Sequence, residues 1–168
     1  GALVVRAGTQ LQPLQWGGGQ EQGLRAGTLP VPLIMGMAAA AELSMNDLEE
    51  RQVRLQTLRD QLWQELKDRN PTITLNGALQ PRLAHNLNIT VPAISGSRLQ
   101  RALRPQLACS SGSACSRGEP SHVLQSIGRN RFEAESSLRL SLGRDTTTTD
   151  IDGAIEVITN AIQTSTKR

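Results

Sequence analysis

The strongest hydrophobic pattern in the chain is a leucine stripe in its first half. Leucines recur at steps of seven, three, four and four residues, at Leu48, Leu55, Leu58, Leu62 and Leu66. This spacing places them on one face of an α-helix. The pattern predicts helix from Leu33 to Arg69, with a break near Ser44–Asn46 because serine and asparagine favour helix ends. The helix should end at Asn70, because a residue before proline disfavours the α-helical conformation.

Shorter segments flank and follow this helix. Apolar or alternating runs predict strands at Ala2–Arg6, Thr72–Leu75, Leu87–Val91, Leu107–Ser110 and Ser137–Leu142. Further helices are predicted at Ser97–Leu103, at His122–Ile127 and through Ile151, Ile155, Ile158 and Ile162, the last one capped by Thr146–Thr149 and Asp150. Strands that alternate with helices indicate an α/β or α+β fold. The opening strand has no lead-in, so we expect the sequence to be cut from a longer chain.

Composition narrows the classes of partner. The hydrophobic content is 38% and only three residues are aromatic, so Leu, Ile, Val and Ala must form the core. A surface that stacks nucleic-acid bases needs more rings than this. The net charge of +3 is small. Arg51, Arg54 and Arg59 stand among acidic residues, which predicts a solvated helix face. We therefore expect no nucleic-acid partner.

Cysteine usage and hydropathy indicate the compartment. The chain has two cysteines, Cys109 and Cys115, whereas a secreted protein stapled by disulfides usually has more. No segment reaches 18 uninterrupted apolar residues, and none resembles a signal peptide. We expect a protein of the reducing cytoplasm with no membrane partner.

The segment from Cys109 to His122 is the densest in candidate chemistry. It reads Cys-Ser-Ser-Gly-Ser-Ala-Cys-Ser-Arg-Gly-Glu-Pro-Ser-His, a composition that predicts a surface loop. A thiol attacks as its thiolate, and Arg117 or His122 would favour that form of Cys115. From composition alone, Cys115 is either a nucleophile or an idle surface thiol. Cys109, at the strand end, is interpreted as a small buried hydrophobe.

Zinc binding and disulfide formation are two further uses of these thiols. Cys109 and Cys115 lie six positions apart, and the only histidines are His85 and His122. Zinc sites usually have shorter spacings between paired ligands, so we expect no metal. A disulfide between the two cysteines would need a compact loop and stays open.

Two other positions are candidates for binding negative groups. The glycines at 17–19 and the Arg25–Thr28 segment could cradle an anion, with Thr28 near a helix start. The alternative is a tight turn followed by a helix cap. Arg139 lies between two leucines of a half-buried strand and should point away from them. It is either an exposed surface residue or a clamp for a carboxylate, which a guanidinium grips with two bonds.

Three ordered motifs resemble cysteine desulfurases, in the branch of the NifS and IscS types. Residues 17–28, Gly-Gly-Gly-Gln-Glu-Gln-Gly-Leu-Arg-Ala-Gly-Thr, are similar to the hairpin and phosphate segment of that family. Residues 110–115, Ser-Ser-Gly-Ser-Ala-Cys, followed by Glu-Pro-Ser-His-Val-Leu at 119–124, resemble the family's catalytic loop. Residues 138–144, Leu-Arg-Leu-Ser-Leu-Gly-Arg, followed by threonines and Asp150-Ile-Asp, resemble the segment that comes next.

The resemblance implies a pyridoxal-phosphate enzyme of fold type I that works as a homodimer. It implies that Cys115 attacks the sulfur of L-cysteine, which yields L-alanine and a persulfide on Cys115 for an iron–sulfur scaffold or another sulfur acceptor. Arg139 matches the residue that binds the substrate carboxylate, and Thr28 matches the residue that reaches the phosphate of the partner's cofactor across the dimer. Residues 1–32 would be a remnant of the large cofactor domain, and residues 33–168 the C-terminal small domain.

The chain departs from the family pattern in two places. The family's cofactor lysine lies upstream of the segment given, and the only lysines are Lys67 and Lys167, neither in a suitable setting. We therefore expect the 168-residue chain alone to bind no cofactor and to be inactive. Three residues separate Cys115 from Glu119, whereas about five are expected in the IscS-like pattern, so the loop should reach less far.

Two other functions compete with a desulfurase. One is a non-enzymatic module in which Cys115 only carries or exchanges sulfur. The other is an aminotransferase of the same fold, against which the cysteine-bearing loop argues, because transamination needs no thiol. A cofactor lysine encoded upstream of Gly1 would favour the desulfurase over the carrier.

Overall fold

A computed structural model describes residues 1–92, 94–110 and 119–166 of the protein, without the side chain of Thr166. The chain forms two compact units, Gly1–Leu48 and Glu49–Arg168. The predicted division at residues 32 and 33 concerns the domains of a whole enzyme and stays a prediction.

The first unit contains one long helix and little other regular structure. A 3₁₀ turn covers Gln20–Gly23, and α1 spans Val31–Asn46, with Pro32 in its first turn as expected from the fixed φ of proline. A single parallel bridge joins Gln15 to Arg25. The strand predicted at Ala2–Arg6 is wrong. Within the described part of the chain these residues pair with no other strand, and β-branched residues alone cannot form a sheet without a hydrogen-bonded neighbour.

The second unit holds most of the regular structure. Its elements, in order, are α2 Leu48–Arg69, β1 Thr74–Leu75, β2 Asn86–Thr90, α3 Gly96–Leu103, α4 His122–Ser126, α5 Arg131–Glu135, β3 Ser137–Ser141 and α6 Thr148–Thr166. The predicted break in the long helix falls at Asp47, between α1 and α2, one residue beyond the predicted site. The mixture of helices and strands confirms the α/β or α+β prediction.

The sheet of this unit is antiparallel, in the order β1-β2-β3. Leu87 faces Leu140, and Ile89 faces Leu138 across β2 and β3. These four side chains are at most 4% exposed, because the period-2 alternation of both strands sends them to the same side. The core continues into helices α2, α3 and α6 through Leu55, Leu58, Leu62, Leu66, Leu99, Leu103, Ile151, Ile155, Ile158 and Ile162.

The solvated face predicted for the start of α2 is wrong at Arg59. Its side chain is fully buried, because Arg59 lies one turn from Leu55 and Leu62 on the face that packs inward. Its charge is matched locally. Nε and Nη2 donate to Asp60 at 2.8 and 2.6 Å, and Nη1 donates to the carbonyl oxygen of Leu83 at 3.2 Å.

Two segments before β3 differ from the sequence-based prediction. The strand predicted at Leu107–Ser110 is reduced to a single bridge at Ser110, because Leu107 still bonds back to Leu103 and only Ser110 reaches a partner strand. Helix α5 was not predicted. It begins with a capping box in which Asn130 and Glu133 bond each other's backbone N–H groups.

No helix in the described ranges is both long and apolar enough to cross a membrane.

Candidate functional site

Arg139 occupies the middle of β3 and points away from the core. Its neighbours Leu138 and Leu140 are buried while Arg139 is exposed, as the alternation of a strand requires. Its guanidinium makes no ion pair within the ranges that the structure describes. An exposed guanidinium on a hydrogen-bonded strand, with no ion-pair partner among the described residues, is suited to bind a carboxylate.

The backbone of Arg139 is held on both sides. On one side it faces Asn88 of β2. On the other side it forms an antiparallel bridge to Ser110, with Arg139 N–H donating to Ser110 O at 2.6 Å and Ser110 N–H donating to Arg139 O at 3.1 Å. Residues paired in this way have Cα atoms about 5.5 Å apart. The segment that continues from Ser110 therefore starts beside Arg139.

Cys115 and Arg117, both candidates from the sequence, lie outside the described residues. The chain on either side of them is described. Upstream, Ser110 is fixed to β3. Downstream, Glu119 lies 3.7 Å from Arg131 of α5 in an exposed ion pair, which contributes little energy by itself. Both flanks of the cysteine-bearing segment thus belong to the second unit.

His122, the other candidate thiolate partner, is the first residue of α4. Ser121 caps this helix by accepting a hydrogen bond from the Leu124 N–H at 3.4 Å. The His122 side chain is exposed. It lies on a regular element a few residues beyond the segment that carries Cys115.

Cys109 behaves as the small hydrophobe predicted from the sequence. It is a free thiol, half-buried against the core of the second unit. Burial raises the pKa of this thiol, because the thiolate would lose hydration. Gln100 Nε2 donates to the Cys109 carbonyl at 2.9 Å and ties this residue to α3. A neutral, half-buried thiol is a poor nucleophile, which leaves Cys115 as the candidate.

Thr28 lies in a well-defined turn of the first unit. Arg25 Nη1 donates to the carbonyl oxygens of Gly27 at 3.1 Å and Thr28 at 3.2 Å, and Gln20 accepts from the Gly27 N–H at 3.2 Å. Gly27 has φ of 100°, where a side chain would be strained. The helix-cap interpretation of Thr28 is wrong, because the N-cap of α1 is Pro30 and no side chain caps it.

Lysine is the residue that would anchor a pyridoxal-type cofactor. Lys67 is committed elsewhere, since Nζ donates to the carbonyl oxygens of Pro71 at 2.7 Å and Ile73 at 2.8 Å where the chain leaves α2. Lys67 therefore stabilises the turn that follows α2. Lys167 lies outside the described residues. Two other candidates have suitable chemistry. The exposed Thr28 hydroxyl can donate a hydrogen bond to a phosphate oxygen of the cofactor, and the exposed Arg139 guanidinium can bind a carboxylate.

The described residues contain no cluster of three or more His, Cys, Asp or Glu that could hold a metal ion. Neither His85 nor His122 therefore belongs to such a cluster. The zinc interpretation has no support in that part of the chain.

The pairing of Ser110 with Arg139 is the feature of the site that sequence reasoning missed. The sequence predicts a strand that includes Ser110 but does not identify its partner. The available signal was the ordinary β propensity of both segments, which does not specify pairing between strands distant in sequence.

The chain has clear similarity to known proteins. Residues 1–153 match the model of a family described as aminotransferase class-V. The chain is 40% identical over 168 residues to a cysteine desulfurase IscS of Ehrlichia chaffeensis, covering 97% of this chain and 41% of the relative. It is 43% identical over 166 residues to a cysteine desulfurase IscS of Shewanella denitrificans, covering 96% and 41%.

The chain is also similar to solved structures of NifS-like proteins. A NifS-like protein matches with a TM-score of 0.84 and 30% identity, over 95% of this chain and 41% of that one. A NifS-like protein from Rickettsia africae matches with a TM-score of 0.81 and 28% identity, over 92% and 41%. The chain thus spans 41% of the length of these relatives.

Proposed function

The chain belongs to the class-V aminotransferase family, and on that premise we propose that it is part of a cysteine desulfurase. The whole enzyme would convert L-cysteine to L-alanine and leave the sulfur as a persulfide on Cys115. The predicted fold type, that of fold type I pyridoxal-phosphate enzymes, is confirmed by similarity to NifS-like structures.

One observation supports this proposal more than any other. Ser110, the last described residue before the segment that carries Cys115, is hydrogen-bonded to Arg139. A substrate whose carboxylate is held by the Arg139 guanidinium would lie near the base of this segment. That arrangement suits a reaction between an amino acid and Cys115, because the bound amino acid and the chain at Ser110 would lie beside the same strand.

Arg139 would bind and orient the substrate through its carboxylate. The Cys115 thiolate then attacks the sulfur of L-cysteine and forms a new S–S bond. The carbon–sulfur bond of the substrate breaks, and its electron pair stays with the carbon, which takes up a proton to become alanine. Cys115 is left with the additional sulfur atom as a persulfide.

Pyridoxal phosphate, when bound in the whole enzyme, supplies the electron sink that makes this bond cleavage feasible. Thr28 is the proposed contribution of this chain, through a hydrogen bond to the phosphate across a homodimer. The anchoring lysine would come from another part of the whole protein. We further propose an iron–sulfur scaffold or another sulfur-accepting protein as the partner, and the cytoplasm as the compartment.

The experiment uses the full-length protein encoded by the gene. We expect L-alanine to form continuously from L-cysteine when a small thiol accepts the sulfur, and mass spectrometry of protein treated with L-cysteine without that thiol to find one added sulfur atom on Cys115. Cys115→Ser should abolish both signals. Cys109→Ser is the matched control and should retain activity, because the Cys109 thiol is held neutral by burial.

Full alanine formation by the Cys115→Ser variant would refute the proposal. If the wild-type protein accepts a persulfide from a donor but forms no alanine, the sulfur-carrier function is correct instead. The 168-residue chain is expected to show no cofactor absorbance, and a stoichiometric signal there would contradict the assignment of the lysine to another part of the protein.

A further inference from the structure

Charge is distributed unevenly along the chain. Residues 69–118 contain six arginines and not one aspartate or glutamate, whereas the rest of the sequence has twelve basic and fifteen acidic residues. The carboxylates of the chain therefore all lie outside the segment that leads to Cys115. The positive charges of residues 69–118 are therefore not balanced by any negative side chain within the same segment.

Helix α3 concentrates this charge on one face. Arg98, Arg101 and Arg104 follow one another at steps of three, and the helical geometry continues through Arg104, which caps α3. At about 100° per residue the three side chains cover about 120° of the helix, opposite the buried Leu99 and Leu103. We call these three residues the α3 arginine face.

The α3 arginine face is exposed and uncompensated. All three arginines are exposed, and in the part of the chain that the structure describes their guanidinium groups form no ion pair or hydrogen bond. Other surface arginines differ in this respect. Arg69 pairs with Glu65 at 3.1 Å, and Arg131 pairs with Glu135 at 2.8 Å. Three like charges without an ion-pair partner among the described residues favour an acidic partner.

The α3 arginine face lies on the helix that comes directly before the segment that carries Cys115 in the chain. The Leu107 N–H donates to Leu103 O at 2.8 Å, and Gln100 donates to the Cys109 carbonyl at 2.9 Å, so α3 is tied to the chain that follows it. The next residue, Ser110, is bonded to Arg139. A protein bound to α3 would therefore contact an element fixed to the base of the segment that carries Cys115.

We propose that the α3 arginine face docks an acidic surface of the protein that accepts sulfur from Cys115. The proposal rests on the proposed function. The acceptor's thiolate would attack the outer sulfur of the Cys115 persulfide and form a new S–S bond. The bond from that sulfur to Cys115 Sγ breaks, and Cys115 leaves as a thiolate. No external oxidant or reductant is needed, because the outer sulfur keeps its proton and only changes its sulfur partner.

An acidic protein fits the face better than a nucleic acid does. Sequence-tolerant binding of single strands combines a basic groove with aromatic side chains that stack on bases. The α3 segment contains no aromatic residue, and the chain has only three in total. Three arginines on two helical turns match a compact group of carboxylates rather than a long phosphate backbone.

The test uses the full-length protein and two cysteine peptides as acceptors. In one peptide glutamates flank the cysteine, and in the other glutamines replace them. Sulfur transfer to each peptide is divided by transfer to dithiothreitol. We expect the wild-type protein to favour the acidic peptide about tenfold at low salt, and this preference to fall at about 1 M salt.

The decisive variant is Arg98→Gln/Arg101→Gln/Arg104→Gln, which removes three positive charges and retains long side chains. The matched control is Gln52→Glu/Gln56→Glu/Gln163→Glu, which changes the net charge equally at exposed positions on α2 and α6. The arginine variant should lose most of the preference, to about twofold or less, while the control keeps it. Circular dichroism checks that both variants fold.

Three results would overturn the docking proposal and leave the proposed function intact. An equal loss of preference in both variants would show a general charge effect. A preference retained by the folded arginine variant would exclude α3. Tight binding of single-stranded RNA by the wild-type protein that is lost in the arginine variant, without preference for the acidic peptide, would favour a nucleic acid. If neither the wild-type protein nor either variant forms alanine with dithiothreitol as sulfur acceptor, the proposed function itself fails, and the docking proposal fails with it.

Discussion

The two units of the chain differ in how much of their own structure they stabilise. In the first unit no helical residue is buried, and Leu14 and Val4 are each 96% exposed. In the second unit the apolar side chains form one core in which Leu66, Ile73 and Leu87 are completely buried. Both units are rich in aliphatic residues, so composition does not explain the difference.

The comparison shows that a regular helix does not by itself indicate an independent fold. Helix α1 has exposed apolar residues around its surface, including Leu33, Met35 and Leu43. A unit of 48 residues buries little of its surface and is marginal even with a core, and this unit has no buried helical residue. We therefore expect its order to depend on other polypeptide, whereas the unit that carries Arg139 and the flanks of the Cys115 segment should be self-sufficient.

The largest expected effect is on folding of the separate units. Residues 49–168 expressed alone should unfold cooperatively in urea, because the whole hydrophobic core lies within them. Residues 1–48 alone should show no cooperative transition by circular dichroism. A cooperative transition of the short piece, with a slope like that of a small domain, would remove the contrast between the units.

A pair of single substitutions measures the same contrast within the intact chain. Ile155→Ala should lower the free energy of unfolding by about 2–5 kcal/mol, because Ile155 is completely buried in α6 and truncation leaves a cavity. Leu33→Ala, at a position 74% exposed on α1, should change it by less than about 0.5 kcal/mol. Urea unfolding of both variants gives the two values. Similar losses would mean that α1 is buried in solution.

The third prediction concerns the substrate contact of the second unit. In the full-length enzyme Arg139→Lys should raise the KM for L-cysteine roughly ten- to a hundredfold, with a smaller change in kcat, because lysine cannot form the two-bond fork to a carboxylate. Arg131→Lys, which alters an exposed ion pair on α5, is the control and should leave KM unchanged. An unchanged KM in Arg139→Lys would assign Arg139 to the solvent face.

The smallest effect separates the helix ends of the two units. Thr147 and Asp150 cap helix α6, while α1 has no side-chain cap. The backbone N–H and the hydroxyl of Thr147 both donate to the Asp150 carboxylate, and these bonds lower the pKa of that carboxyl. Because the folded pKa is depressed, this contribution is present above the ordinary value of 3.8 and is lost as the pH falls through the folded pKa. Asp150→Ala should lower Tm at pH 7, and the difference should shrink with acidification. A Tm difference independent of pH would contradict this.

The elements predicted most accurately are those with a local pattern. The leucine spacing of α2, the alternation in β2 and β3 and the Thr147–Asp150 cap are all found where they were expected. Each depends on residues within a few positions of one another, where helical or strand geometry alone determines which side chains share a face. The outward direction of Arg139 follows from the same rule.

The features that the sequence predicted wrongly or did not predict depend on residues that are distant in sequence. The residues at the start of the chain have strand propensity but no partner strand in the described ranges. Arg59 is buried because its helical face is covered by other elements and its charge meets Asp60 and the Leu83 carbonyl. Asn76, Thr90 and Ser137 are likewise polar yet buried, since they hydrogen-bond to one another across the sheet.

The sequence by itself determined the helical and strand periodicities, the identity of the cysteine-bearing segment and its resemblance to the desulfurase motifs. Only the tertiary structure decided that Ser110 pairs with Arg139, that Cys109 is half-buried and that Lys67 binds two carbonyl oxygens. The physical reason is that local periodicity is encoded in neighbouring residues. Strand pairing and burial depend instead on distant segments, which the folded chain brings into hydrogen-bonding and packing distance.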